Sequence, residues 1–302
     1  MSAYQLGLIM MACIAIINVS AVFTITSLGG MFSLGQAAYM AIGAYVTFVL
    51  TYKFKMPIPL SSLIAIIVSA LAALIISVPT LKLRRDYFAL LSVAFGQMVI
   101  SLVILFPDYT NGSIGFSKIP KIPNLFAIVI ALTVLVIFCI RNLKYSRFGR
   151  MLIALKTDEI TARSFGINVY RLKIKTYVLA SIIGSIAGIL FGMRNRVIDP
   201  DSFSWAQSAE MQIFLFFGGT NSLTGSVIAA FLLKLLPELF RGITLFGHSL
   251  QEYRTIIYCV LIIAVINFRR QGILGEQELS VKKAYSALVN LVSEIRSKRA
   301  GG

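Results

Sequence analysis

The sequence predicts an all-α polytopic membrane protein of about eight to nine transmembrane helices, with glycine-rich interruptions and a short cytoplasmic coupling helix. Three observations carry this. Of 302 residues, 58% are hydrophobic and only 13% are charged, with a mean hydropathy of +0.85. Apolar runs approaching the about 20 residues needed to cross a bilayer recur along the chain. Between two of them lies Arg141 to Lys175, the longest charged insert, in which nine basic residues face only Asp158 and Glu159.

The first run, Tyr4 to Ser27, lacks a basic leading region and a small-residue cleavage site, so it reads as a retained helix. Gly29, Gly30 and Gly35 interrupt regular helix before a second span ends near Tyr52. Lys53, Lys55, Pro57 and Pro59 mark a turn, and a third span runs from Leu60 to Leu81. A basic cluster, Lys82 to Asp86, precedes the fourth span, Tyr87 to Phe106. Asp108 to Asn124, rich in Gly, Pro and Ser, reads as an ordered loop outside the bilayer. Leu125 to Ile140 is the fifth span and leads into the insert.

The insert carries a helix whose two ends are both marked. Thr157 reads as its N-cap, Asp158 and Glu159 place negative charge on the first turn, and Gly166 is suited to a left-handed stop. A helix of about two turns is unstable alone in water, so it reads as a contact element.

After the insert, Thr176 to Met193 carries Gly184, Gly188 and Gly192 on one helix face. Small residues at that spacing let backbones approach, either within the chain or at an intersubunit or pore-lining face. Arg194 to Glu210 reads as interfacial, with Trp205 as a headgroup anchor. Met211 to Phe217 is too short to span, so it starts earlier, enters obliquely or is re-entrant. Gly218 to Gly225 breaks it, Ser226 to Phe240 continues, and Arg254 to Phe268 is the last span. Residues 1–268 thus form a transmembrane domain. Residues 269–302 form a basic tail in which Val281, Tyr285, Leu288, Val292 and Ile295 recur at helical spacing, suited to anionic lipid or a soluble partner. GGMFSLG at Gly29 recurs as GGTNSLTG at Gly218, the paired interruption expected of a repeat-built transporter.

Placing the insert in the cytoplasm and alternating outward leaves nineteen basic residues inside and eight outside. The positive-inside rule then puts the N-terminus outside and the C-terminus in the cytoplasm. The same placement accounts for the net charge of +16 without nucleic acid. Cys13, Cys139 and Cys259 stand singly in apolar runs, and the one histidine, His248, has no ligand-spaced partner. No metal site, cofactor site or catalytic cluster is read, and no phosphate-binding loop is present. Glu210, Lys234 and Glu238 are the ionisable candidates within spans, with Lys234 and Glu238 spaced to pair on one face. Such scarcity argues against proton- or sodium-driven transport. Asn18, Gln36, Gln97 and Gln212 are polar groups at depth, suited to a pathway for a polar solute or to interhelical hydrogen bonds.

A pathway without its own motor, next to a docking helix, points to an external ATPase. The stretches SLGGMFSLGQAAYMAIGAYV, RRDYFALLSVAFGQM, TNGSIGF, FFGGTNSLTGSVIAAFLLKLLPELFR and INFRRQGILG, with the insert and its following span, appear in that family's order. In them the chain resembles the permease subunits of branched-chain amino acid ABC importers, of the LivM type. The resemblance implies a pathway shared with a second, LivH-type permease and two ATP-binding subunits that hydrolyse ATP in its place. It also implies an extracytoplasmic substrate-binding protein and a place in the cell inner (plasma) membrane, among membrane lipid. It assigns Asp158, Glu159, Ala162 and Gly166 to ATPase coupling, although Ile160 and Thr161 stand where the broader importer pattern has Glu and Ala. The alternative is a stand-alone secondary transporter or channel for a small polar solute.

Overall fold

The computed structural model describes residues 3–81, 85–117, 119–120, 122–239, 244–245, 248–249 and 260. The expectations for the last span and the amphipathic tail lie outside the described residues. Helix α1 (Ala3–Val22) runs into a π-helical turn, Phe23–Leu28, and then into an irregular stretch before α2 (Gln36–Lys53). Helices α3 (Ile58–Thr80) and α4 (Arg85–Leu105) follow. The loop read as ordered holds a four-residue helix, α5 (Pro107–Thr110), and a 3-10 turn, Gly112–Ile114. It also holds a strand, β1 (Phe116–Ser117), that pairs antiparallel with β2 (Val197–Ile198).

The fifth span is longer than the apolar run alone indicates. Helix α6 (Leu125–Tyr145) carries its regular backbone through Arg141 and Lys144, because nothing in that stretch breaks a helix. Ser146 then caps α7 (Arg147–Thr157), accepting a hydrogen bond from the Gly149 amide. Helix α8 (Glu159–Ser164) comes next, and α9 (Val169–Asn195) starts seven residues before the apolar run, N-capped by Asn168. The insert is therefore two short helices set between the extended ends of two long ones.

A 3-10 turn, Pro200–Phe203, leads to α10 (Trp205–Gly218), and α11 (Leu223–Leu239) follows. Met211 to Phe217 belong to a helix that begins before the apolar run, as expected. The helix starts at Trp205, so Trp205 to Glu210 form its opening turns. Residues 244–245 and 248–249 pair as a two-residue hairpin.

Among the described residues, five helices are long and apolar enough to cross a membrane, fewer than the eight to nine expected. They are Tyr4–Leu28, α3, Tyr87–Leu105, α6 and α9. Burial sorts them. The first and last are 72% buried over their most apolar stretch, whereas α3, α4 and α6 are only 22–33% buried. Helices α1 and α9 thus form the centre, with α2 and α3 both packed on α9 and on each other, and α11 and α6 against α1. The outer helices expose Leu63, Leu71, Ile75, Leu90, Val134 and Phe138. An apolar outer surface over a core of close-packed small residues is what a helical membrane protein needs, since lipid does not drive apolar groups inward.

The three glycines of α9 explain how the centre closes. All face α2. A Cβ on Gly188 would lie 2.5 Å from the carbonyl carbon of Met40, one on Gly192 would run into the Phe48 ring, and Gly184 sits against Gln36 and Tyr39. Gly43 of α2 answers with Ser185 of α9, whose Oγ would lie 2.6 Å from its Cβ. Of the two uses left open for Gly184, Gly188 and Gly192, the structure places them in packing within the chain.

Candidate functional site

The two glycine-rich interruptions share two features. In each, a helix ends at or just before the first glycine and the second glycine has a positive φ, +64° at Gly30 and +111° at Gly219. The serine three residues further on then folds back. Ser33 Oγ accepts from the Gly35 amide at 3.3 Å, and Ser222 Oγ accepts from the Gly225 amide at 3.1 Å. The two breaks thus share a positive-φ glycine and a serine that accepts from a following amide, two residues on in the first and three in the second, with Phe32 and Asn221 at equivalent positions of the sequence repeat.

Around the first break the polar groups converge. Gln212 of α10 donates from Nε2 to the Ser33 carbonyl at 2.8 Å and to Thr26 Oγ1 at 3.0 Å. Ser208, one turn earlier, accepts from the Ala37 amide at 2.9 Å and so serves the N-terminus of α2. Gln36 begins α2 fully buried, and both polar atoms of its side chain lack a hydrogen-bond partner among the described residues. Asn18 donates to Met40 Sδ at 2.9 Å, and its Oδ1 is likewise unpartnered. Buried amides without partners are costly and mark places where a polar solute or water can be bound. Gln97 is not part of this cluster; it lies on the exposed face of α4.

The ionisable residues within the bundle pair differently from the expectation based on spacing. Lys234 reaches across to α10, where its Nζ lies 3.2 Å from Glu210 Oε1, with both side chains largely buried. Antiparallel packing of α10 and α11 sets these residues opposite each other, and a charge in this setting gains more from a paired charge than from a neighbour nearer water. Nothing in the residue spacing indicates this contact.

The insert forms a compact unit at one end of the bundle. Asp158, not Thr157, is the N-cap of α8: its Oδ1 accepts from the Ile160 amide at 2.9 Å, while Thr157 closes α7 and donates to the Ile153 carbonyl. The β-region backbone of Asp158 separates the two helices, which is the conformation that an N-cap requires. At the other end, the Gly166 amide donates to Arg163 and the Ile167 amide to Ala162. With Gly166 at φ +77°, this double bond pattern is a Schellman stop. Ala162 is buried beneath the helix. Tyr170 anchors the start of α9 by donating to the Val78 carbonyl of α3 at 2.8 Å.

Charge holds α8 in place. Glu159 pairs with Arg163 at 2.7 Å along the helix and with Lys173 of α9 at 2.8 Å. Partial burial pushes the Glu159 carboxyl up, but Lys173 and Arg163 together outweigh it and hold it below the usual carboxylate range. The Asp158 carboxyl is also held low, first by the Thr161 hydroxyl and then by the backbone amides of Ile160 and Thr161. Two residues that the residue pattern did not single out complete the unit. Ile160 is 78% exposed and Phe165 81% exposed. Their exposure depends on the turn angle of a six-residue helix, so no periodicity reports it.

Among the described residues no cluster of His, Cys, Asp or Glu has metal-binding geometry. Cys13 and Cys139 are free thiols.

Residues 4–266 match the family described as branched-chain amino acid transport system / permease component. The chain is 29% identical over 284 residues to the high-affinity branched-chain amino acid transport system permease protein LivM of Salmonella typhimurium, and 28% identical to that of Escherichia coli. Each alignment covers 83% of this chain and 65% of the relative, so the chain spans just under two thirds of their length. The LivH permease protein of Salmonella typhimurium is 25% identical over 83% of this chain and 87% of its own. In fold, the chain is similar to PsaBC from Streptococcus pneumoniae in complex with Fab. The TM-score is 0.52 at 15% identity, over 87% of this chain and 90% of that one.

Proposed function

Because the chain belongs to the family of branched-chain amino acid transport permease components, we propose that it is one of two permease subunits of an ATP-driven importer for branched-chain or related amino acids. The observation that carries this reading is the α8 unit, a doubly capped helix that turns two apolar side chains, Ile160 and Phe165, into solvent. The helix is anchored on its own chain, so its two outward apolar side chains are free for a partner's groove to cover. Burying either side chain in a partner's groove contributes about 1.5–3 kcal/mol. The partner of this reading is an ATP-binding subunit, one of two in the complex, since this chain carries no phosphate-binding loop of its own. Asp158 and Gly166 shape the docking element, Glu159 ties it to α9, and Ala162 seats it on the bundle.

In this reading the transmembrane domain, residues 1–268, sits in the cell inner membrane with α8 in the cytoplasm. The N-terminus then lies outside, and the basic tail, 269–302, lies on the cytoplasmic side against anionic lipid or a soluble partner. Gln36 and Gln212 line the pathway at the first break, and Gln97 faces either lipid or the second, LivH-type permease. Substrate selection rests largely with an extracytoplasmic binding protein. In this reading nine spans follow from adding α2, α10, α11 and the last apolar run to α1 and the four other long helices, an odd number that sets the termini on opposite sides.

The test is purification of the tagged chain from its native membrane in mild detergent, with partners identified by mass spectrometry. Reconstitution and uptake of labelled leucine, isoleucine and valine follow. Recovery of an ATPase subunit and a second permease, with uptake that requires ATP, is the expected result. Uptake by this chain alone, independent of ATP, would replace the importer with a secondary transporter, for which the buried Glu210–Lys234 pair is the natural starting point.

A further inference from the structure

The end of α7 touches both glycine-rich breaks through one side chain. Lys156 lies two residues before the Asp158 cap. Its stem packs on Gly30, where a Cβ would sit 3.3 Å from Lys156 Cγ. Its ammonium donates to Asn221 Oδ1 at 2.7 Å. Asn221 belongs to the second break, in the position equivalent to Phe32 of the first. A second lysine strengthens the junction: Lys144, at the end of α6, donates to the Asn221 carbonyl at 2.6 Å and lies over the Phe23 ring of the π-helical turn at 5.6 Å. Beside these contacts is a cavity of about 420 Å³ lined by Lys144, Lys156, Asn221, Ser27 and Thr157 together with apolar groups. It gives both ammoniums room to exchange acceptors.

We propose that Lys156, supported by Lys144, is the positioning residue that ties the α7–α8 unit to both breaks at once, so that displacement of α8 moves the two interruptions together. This rests on the importer reading, in which α8 is the element moved by the ATPase. The physical argument is mechanical. Regular helices are stiff, whereas the breaks are short non-helical segments pivoting at Gly30 and Gly219, and a bistable bundle rearranges at such points. A long side chain that is packed along its stem and hydrogen-bonded at its tip transmits displacement to both. The exchangeable tip lets the junction hold in two states, the requirement for coupling through a contiguous network.

The experiment uses the complex purified from the native membrane and reconstituted. It measures uptake per ATP hydrolysed for the branched-chain amino acid that the wild-type complex carries fastest. Lys156→Met keeps the stem on Gly30 and removes the ammonium. The ratio is expected to fall about five- to thirty-fold, with ATPase subunits still co-purifying. Asn221→Ala should lower it similarly, the double variant no further than the lower single one, and Lys156→Arg should retain most of it. A wild-type ratio in Lys156→Met or Asn221→Ala, or losses that multiply in the double variant, would overturn the proposal. Should Lys156→Met fail to assemble, Asn221→Ala, which leaves Lys156 in place, decides alone. The wild-type complex separates the two failures: if it shows no ATP-dependent uptake, the importer reading has failed before any variant is compared.

Discussion

Gly166 isolates backbone strain from packing. Its φ of +77° is a conformation that L side chains resist, yet a Cβ there meets nothing within 4 Å. Gly166→Ala therefore adds only the left-handed penalty, about 1–2 kcal/mol, and should raise amide hydrogen exchange across α8 without unfolding the bundle. Gly166→Asn should cost less, because Asn tolerates this region. Equal protection in all three proteins would refute the stop. Gly188 is the opposite case. Its backbone is helical, but a Cβ would press on Met40, so Gly188→Ala should cost about 1–3 kcal/mol by overpacking, seen as a lower thermal midpoint in detergent. Titration offers a third check. Glu159 has a depressed carboxyl, so its contribution is complete above the ordinary value of 4.5 and is lost as pH falls through the lower value of the folded protein. Amide exchange in α8, corrected for its intrinsic pH dependence, should stay flat from neutrality to about 4.5 and accelerate progressively as pH falls from there through the folded value. At this scale the sequence was legible where a residue type has a narrow conformational use: Gly166 reads as a stop because few residues suit that angle. Thr157 and Asp158 are both good caps, and only the end of α7 at Thr157 assigns the role to Asp158.

Elements were legible as apolar runs but their ends were not. An apolar run reports where lipid or core begins, whereas a helix continues until its backbone finds a cap or a break, so α6 and α9 extend into the charged insert. The α10–α11 pair shows the other limit. The break between the helices is written in GGTNSLTG, but the Glu210–Lys234 contact joins residues 24 apart and depends on how the hairpin closes. That contact fixes the register of the pair. Glu210→Ala would leave Lys234 buried without this partner, and such a loss typically costs about 3–5 kcal/mol. Restoring neutrality with Glu210→Gln and Lys234→Met together should recover most of it. The measurement is the thermal midpoint of the three proteins in one detergent. A double variant as unstable as Glu210→Ala would mean that the region needs the charges for something other than mutual compensation.

For the whole molecule, membrane orientation depends on charge distribution, and two exposed residues at opposite ends of the chain's loops make it testable. Ile114 is 85% exposed in the turn after α4, and Phe165 is 81% exposed at the end of α8. The positive-inside count assigns the first to the outside and the second to the cytoplasm. With Cys13, Cys139 and Cys259 replaced, Ile114→Cys in intact cells should react with a membrane-impermeant maleimide, and Phe165→Cys should react only after the membrane is opened. The reverse pattern would invert the topology and remove α8 from the reach of any cytoplasmic ATPase. Labelling of both residues from outside would require an even number of crossings between them, whereas α6 alone lies between them and supplies one. The Phe165 experiment has a further arm. If α8 docks on an ATPase subunit, Phe165→Cys in the assembled complex should be shielded even in opened membranes and become reactive when that subunit is stripped away. Shielding that persists in the isolated chain would place Phe165 against lipid or another part of the permease, and the docking role would pass from α8 to a different surface.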